Sequence, residues 1–129
     1  MVYTFQRRRA MNKMARTLFP DIEFQEEKDG VPVMTCSVLP PTARRIEPEE
    51  NFPALLMELC EKKDEMGRKI TDKAKYLVVF VKSTRIEGQT TTTYYRVNYV
   101  SPATCSIDIA CRYIAEGKLY AVIPQSHER

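Results

Sequence analysis

Residues 76–100 read YLVVFVKSTRIEGQTTTTYYRVNYV, and this stretch decides the fold that the sequence predicts. Its first part, Tyr76 to Val81, is continuously apolar and rich in β-branched side chains. Such a run is typical of a strand that is central in a sheet or covered on both faces. From Thr91 to Val100 apolar and polar side chains alternate, which predicts a half-exposed strand. The polar stretch between the two strands contains Gly88 and predicts a hairpin with a long tip over residues 83–91.

The segments on either side of this hairpin predict two helices and two further strands. Leu55, Leu56 and Leu59 follow helical spacing, and Ser101-Pro102 has the residue types of an N-cap followed by the first helical position. The predicted elements are, in order, a strand at 31–39, a helix from 52 to 66 closed by Gly67, the two hairpin strands, a helix from 101 closed by Gly117, and a strand at 119–123. This β-α-β-β-α-β order predicts an α+β fold, the ferredoxin-like sandwich with a four-stranded antiparallel sheet and two helices on one of its faces.

The first twenty residues differ from the rest of the chain in charge. They contain five Lys and Arg and no acidic residue, whereas the other 109 residues carry fifteen Lys and Arg against seventeen Asp and Glu, a net charge of −2. As a helix, this segment has an apolar stripe opposite a basic face, and Pro20 ends it because proline has no amide to donate. We therefore expect a basic amphipathic arm over residues 1–20, a single domain over residues 21–124 and a frayed tail over residues 125–129.

The sequence has few of the residue patterns that enzymes use. Its single histidine, His127, lies in the expected tail, so a Ser-His or Cys-His nucleophile pair is not favoured. The four cysteines form no C-x-x-C pair, and no glycine-rich phosphate loop occurs among the four glycines. We expect neither catalytic residues nor a metal or other cofactor, and no small-molecule substrate is identified.

The composition favours an intracellular protein, cytoplasmic or nuclear. The longest apolar run is far shorter than the ~20 residues that span a bilayer, so no transmembrane segment is predicted. The N-terminus lacks the continuous apolar region of a signal peptide, and no N-x-S/T acceptor site occurs, so secretion is not predicted.

Two hypotheses of function remain, and the first is binding of nucleic acid, RNA or DNA. Clustered basic side chains neutralise phosphates and release their counterions whatever the base sequence. Exposed aromatic side chains on a sheet can in addition stack on bases. The residues predicted to contact phosphates are Arg7, Arg8, Arg9, Lys13 and Arg16, with Tyr95, Arg96 and Tyr99 as a weaker stacking candidate.

The second hypothesis uses the other face of the same helix to bind a protein partner or a second copy of the chain, as a homodimer. An amphipathic helix can present its apolar stripe to a hydrophobic groove, and methionine suits such surfaces because it repacks easily. The same stripe could instead dock on the chain's own domain, or lie on an anionic membrane, which we favour less. The residues predicted for this interface are Met11, Met14, Leu18 and Phe19.

Overall fold

The computed structural model describes residues 5–26, 33–60 and 76–123, and of residues 5–10 the backbone alone. Its helices are α1 (Phe5–Leu18), α2 (Phe52–Cys60) and α3 (Ile107–Ala115). Its strands are β1 (Phe24–Gln25), β2 (Thr35–Cys36), β3 (Ala43–Arg45), β4 (Leu77–Glu87), β5 (Thr90–Val100) and β6 (Leu119–Val122).

All six strands belong to one sheet, in the order β1-β2-β5-β4-β6-β3, and each neighbouring pair is antiparallel. The long hairpin of β4 and β5 forms its centre, with eleven paired positions from Leu77↔Val100 to Glu87↔Thr90. β4 also pairs with β6 on its other side, as its continuous apolar run predicted for a central strand.

The predicted α+β class is confirmed, but the ferredoxin-like topology with four strands is wrong. The sheet has six strands, and β6 lies beside β4. In the predicted topology this last strand would lie beside the first predicted strand, at 31–39. The two additional strands come from stretches for which no strand was predicted, one before and one after the strand predicted at 31–39. The first of them, β1, pairs with β2, and the second, β3, pairs with β6. Both are two or three residues long, too short to show a periodic pattern.

The predicted long hairpin tip is also wrong, because strand pairing continues almost to its end. Ser83↔Tyr94 and Thr84↔Thr93 are paired, and only Gly88 and Gln89 form the turn. Gly88 has a positive φ of 62°, which glycine adopts without the steric cost of a Cβ. The paired ends are polar except for Ile86, so they show no apolar alternation to distinguish a strand from a loop.

The helix predicted from Ser101 begins later, at Ile107, after a separate turn. The backbone N–H of Thr104 and that of Cys105 both donate to the carbonyl oxygen of Ser101, at 3.1 and 2.9 Å. The hydroxyl groups of Ser101 and Thr104 lie 3.0 Å apart and close this turn locally, and Ser106 becomes the N-cap of α3. At the other end the predicted role of Gly117 is confirmed, since its φ is 72°.

Some predicted elements extend outside the described residues. The continuation of α2 to Met66, the start of the strand predicted at 31–39 and the tail at 125–129 lie there. Within the described part of 31–39, only Thr35 and Cys36 are in a strand.

Two hydrophobic clusters lie on opposite faces of the sheet. Val79 and Val81 of β4 point to the cluster that α2 and α3 cover, and we call this side the α3 face. Val78 and Phe80 point to the cluster that α1 covers, which we call the α1 face. The members of the α3-face cluster are Ile46, Phe52, Leu56, Cys60, Leu77, Val79, Val81, Ala110, Ile114, Leu119, Ala121 and Ile123. Those of the α1-face cluster are Met11, Ala15, Phe24, Met34, Cys36, Val78, Phe80, Val97 and Tyr99.

Helix α1 therefore packs on the sheet rather than standing apart from it. Ala15 is completely buried and Met11 is 7% exposed, both within the α1-face cluster. The apolar stripe was predicted to bind a protein partner, the chain's own domain or a membrane. Met11 and Ala15 pack on the chain's own domain. The division of the chain into an arm and a domain at residue 20 stays a prediction.

Candidate nucleic-acid interface

The α1 face is covered at one end and open at the other. Along β4, Val78 and Phe80 are buried under α1, whereas Lys82, Thr84 and Ile86 on the same face are exposed. Phe19, directly after α1, meets the Phe80 ring edge-on with the ring centroids 6.3 Å apart. The helix ends at this point, and the open half of the face begins beyond it.

Two tyrosines stand at the beginning of this open half. Tyr95 of β5 is paired with Lys82 across the sheet, and Tyr120 of β6 is paired with Phe80. The rings of Tyr95 and Tyr120 meet edge to face, with their centroids 5.9 Å apart and their planes at 88°. Both side chains are half-buried, so each ring is supported by the α1-face cluster while part of it stays accessible.

Basic residues lie beside the two rings in the neighbouring strands. Lys82 is exposed beside Tyr95, and Arg45 of β3 is exposed at the position paired with Tyr120. The backbone N–H of Lys82 donates to the carbonyl oxygen of Lys118 at 2.9 Å, which places a third basic residue in the same row. We call the set Tyr95, Tyr120, Lys82 and Arg45 the tyrosine platform.

Two of the three basic residues beside the rings, Arg45 and Lys118, have acidic neighbours on the surface. Nε of Arg45 lies 3.1 Å from a carboxylate oxygen of Glu47, and Nζ of Lys118 lies 3.3 Å from one of Glu116. Because such exposed pairs contribute little to stability, a phosphate can replace the carboxylate at low cost. Among the described residues, no acidic side chain is paired with Lys82, which is therefore the cation of the platform most open to a phosphate.

Burial changes the pKa of two groups at the platform, Tyr95 and the neighbouring Cys36. Burial, together with the neighbouring Tyr120 and Cys36, raises the pKa of Tyr95 above its ordinary value of 10.0. Burial raises the pKa of the Cys36 thiol to about 11, and a backbone hydrogen bond with Val38 opposes this only in part. Both groups therefore stay protonated and neutral at physiological pH.

The basic residues predicted on α1 are described in part. Lys13 is exposed. Arg16 is also exposed, but its Nη1 lies 2.5 Å from a carboxylate oxygen of Glu26, to which Asn12 also donates a hydrogen bond of 3.1 Å. A phosphate at Arg16 would have to compete with Glu26. The backbone of α1 includes the other three predicted residues, Arg7, Arg8 and Arg9. Their side chains are outside the described part of the chain.

The three residues predicted to stack are not on one surface. Tyr95 is on the open α1 face, as described above. Tyr99 is on the same face but is 5% exposed beneath α1, so its ring offers no open side to a base. Arg96 points to the α3 face, where its Nη2 donates to the hydroxyl oxygen of Tyr113 at 3.0 Å and its guanidinium lies over the Tyr113 ring.

The four residues predicted for a protein interface are likewise divided. Met11 is buried in the chain's own core, and Phe19 is half-buried against Phe80. Met14 and Leu18 are 40% and 53% exposed on the outer side of α1.

Sequence reasoning missed Tyr120, the second ring of the platform. Tyr120 lies in the segment predicted as the last strand, but the alternation in this strand of four residues does not say which face is accessible. Its position beside Tyr95 depends on the pairing of β6 with β4, which the predicted topology did not contain.

Metal-binding and membrane-spanning features are absent from the described ranges. Within residues 5–26, 33–60 and 76–123, no group of three or more His, Cys, Asp or Glu is placed to hold a metal ion. No helix in these ranges has the length and apolar character needed to cross a membrane. A comparison of the chain with protein-family models, with curated proteins and with solved structures found no match.

Proposed function

We propose that this chain is a non-catalytic, intracellular protein that binds single-stranded nucleic acid, RNA or DNA, on its α1 face. The observation that carries the proposal is the tyrosine platform. Two supported, partly accessible rings, Tyr95 and Tyr120, lie beside the exposed cation of Lys82 on a sheet face that α1 leaves open. Aromatic rings on a sheet stack on unpaired bases, while neighbouring cations hold the backbone.

Helix α1 would contribute the phosphate contacts beside the platform. Lys13 and Arg16 are on its exposed side, and Arg9 precedes them at helical spacing. If the five basic residues of α1 each neutralise a phosphate, the logarithm of affinity falls with the logarithm of salt concentration with a slope of about −3.5. The Glu26 carboxylate beside Arg16 reduces this value, because it already neutralises part of the charge.

Binding of twelve-nucleotide oligo(dT) and oligo(U), followed by fluorescence anisotropy over a salt series, tests the proposal. Tyr95→Leu and Tyr120→Leu keep an apolar side chain but remove a stacking ring. Since stacking contributes about 1–3 kcal/mol per base, each should weaken binding by roughly five- to 150-fold. The matched control is Tyr94→Leu, because Tyr94 is the adjacent residue in β5, is also half-buried and points to the opposite face.

A change at Lys82 separates phosphate contacts from stacking. Lys82→Gln should reduce the salt slope by about 0.7 and leave the contribution of the rings unchanged. Equal losses for Tyr95→Leu and Tyr94→Leu would contradict a stacking role of the α1 face. The whole proposal would fail if the wild-type chain bound neither oligonucleotide at low salt.

The second candidate is a protein-assembly module, favoured by the exposed apolar side chains of Met14 and Leu18 on the outer side of α1. Self-association through them predicts a species larger than the 15.0 kDa chain in sedimentation velocity. Changing both residues to serine should return this species to a monomer, because neither side chain is part of the described core. If the wild-type chain is already monomeric over the concentration range tested, the homodimer is excluded.

A further inference from the structure

A groove lies on the α3 face, on the side of the sheet opposite the tyrosine platform. It runs between α3 and the β5 half of the sheet and has a volume of about 320 Å³. Its apolar lining includes Val79, Val81 and Val100 from the sheet and Ile109 from α3. This volume is at the lower end of the range for pockets that bind small molecules.

The polar part of the groove contains a cation with neutral partners. Nε of Arg96 donates to the hydroxyl oxygen of Ser83 at 3.1 Å, and Nη2 donates to the Tyr113 hydroxyl at 3.0 Å. The guanidinium carbon lies 5.7 Å from the centre of the Tyr113 ring. These contacts hold the group in one orientation, but a guanidinium has five N–H donors, so three remain available after two are used.

The charge of Arg96 is not balanced within the described part of the groove. No Asp or Glu is among the described residues that line it, and none of the described ion pairs includes Arg96. The side chain is half-buried, which removes part of its hydration. A cation in this position favours an anionic partner, and the planar guanidinium matches the two oxygens of a carboxylate.

We infer that this groove binds a small apolar carboxylic acid. The carboxylate accepts hydrogen bonds from Arg96, and the hydrocarbon part lies against the valines of the sheet and Ile109. Asn98 and Ser106 also line the groove and are exposed, so they add neutral donors close to the carboxylate. The charge selects an anion, and the apolar lining selects a ligand whose remaining part is hydrophobic.

This inference does not depend on the proposed function. The groove and the tyrosine platform use opposite faces of β5, because Arg96 and Asn98 alternate with Tyr95 and Val97 along the strand. A chain that fails to bind nucleic acid can still bind the acid, and the reverse also holds.

Titration of the full chain with octanoate, followed by ¹⁵N–¹H NMR and by calorimetry, tests the inference. Octanol is the matched neutral ligand with the same hydrocarbon chain. We expect saturable shifts at the backbone amides of Asn98 and Ile109 with octanoate, and at least tenfold weaker binding of octanol. An amidated and a free-acid form of a short peptide ending in leucine distinguish a small molecule from a peptide C-terminus.

Two variants locate the carboxylate and the hydrocarbon. Arg96→Met keeps a long apolar stem but removes the charge, and it should weaken octanoate at least tenfold while changing octanol little. Ile109→Glu places a negative charge at an exposed position of the groove, and it should weaken octanoate in the same way without disturbing the core. The control is Arg112→Met, which removes an exposed arginine from the same helix outside the groove.

The outcomes are distinct. Selective octanoate binding that both groove variants lose and the control retains supports the inference. Equal affinity for octanoate and octanol, unchanged octanoate binding in Arg96→Met, or no octanoate binding at millimolar concentration overturns it. Binding of the free-acid peptide without binding of octanoate also overturns it, because the occupant would then be a peptide.

Discussion

The packing of α1 on the sheet leads to a quantitative prediction at Ala15. This side chain is completely buried in the α1-face cluster. Ala15→Glu replaces it with a carboxylate that cannot reach water while the helix stays docked. Glutamate is a good helix former, and the added negative charge suits a helix rich in Lys and Arg, so neither helix propensity nor local charge accounts for a loss of stability.

The size of the effect is limited by the free energy that α1 gains on docking. Full burial of a methionine or phenylalanine side chain contributes about 1.5–3 kcal/mol. Met11 is almost fully buried in this contact, and Phe19 is buried in part against Phe80. We therefore expect Ala15→Glu to lower the free energy of unfolding by about 2–4 kcal/mol, a large part of the ~5–15 kcal/mol typical of a domain. The control is Thr17→Glu, which places the same charge at an exposed position two residues away. This variant should change the free energy of unfolding by less than about 0.5 kcal/mol.

Equilibrium unfolding in urea measures both values. Far-UV circular dichroism and tyrosine fluorescence are suitable probes, because the chain has seven tyrosines and no tryptophan. If the glutamate releases α1 before the sheet unfolds, the urea dependence of the unfolding free energy should also decrease, since less surface remains to be exposed. A loss below about 0.5 kcal/mol with an unchanged urea dependence would refute the packing of α1 on the sheet.

Two further predictions concern ionisable groups. The Arg44 guanidinium donates hydrogen bonds of 2.9 and 2.8 Å to the Glu50 carboxylate and, with the Glu47 amide, holds the pKa of Glu50 below its ordinary value of 4.5. The stabilisation is therefore present above pH 4.5 and lost as the pH falls through the lowered pKa, so the stability difference between the wild type and Glu50→Gln in urea unfolding should shrink from pH 6 to pH 3. A constant difference would contradict this linkage. At pH 8, iodoacetamide should label exposed Cys111 well before Cys36, whose burial and pKa of about 11 keep it protonated; mass spectrometry of tryptic peptides measures this order, and equal rates would exclude it.

The parts of the fold that were predictable are those with long periodic patterns. The apolar run of β4 and the alternation of β5 extend over enough residues to define strands, and Gly117 marked the end of α3. β1 and β3 were not predictable, because strands of two or three residues are too short to show a periodic pattern and form only where a neighbouring segment presents free backbone groups. The position of β6 beside β4 is a tertiary choice that local patterns do not encode.

The candidate site was predictable only in its residue types. The basic and apolar faces of α1 follow from helical spacing, but the surface that receives the apolar stripe does not. The alternation of β5 separates Tyr95 and Tyr99 from Arg96, yet it does not show that Tyr99 is buried in the α1-face cluster whereas Tyr95 is half-buried at its edge. The groove around Arg96 depends on the start of α3 at Ile107. The Ser101-Pro102 pair predicted an earlier start, so the sequence did not indicate this groove.

The central hairpin also explains how the two faces of the sheet are kept distinct. β4 is apolar on both sides between Leu77 and Val81, so sliding it by one residue would exchange one hydrophobic surface for another. β5 cannot tolerate the same shift, because it would carry Arg96 and Asn98 into the α1-face cluster and Val97 out of it. The sequence of β5 therefore determines which face of the sheet packs against which cluster, whereas the apolar run of β4 packs in either register. Substitutions that erase the polarity of β5 would leave a stable hairpin with two competing registers.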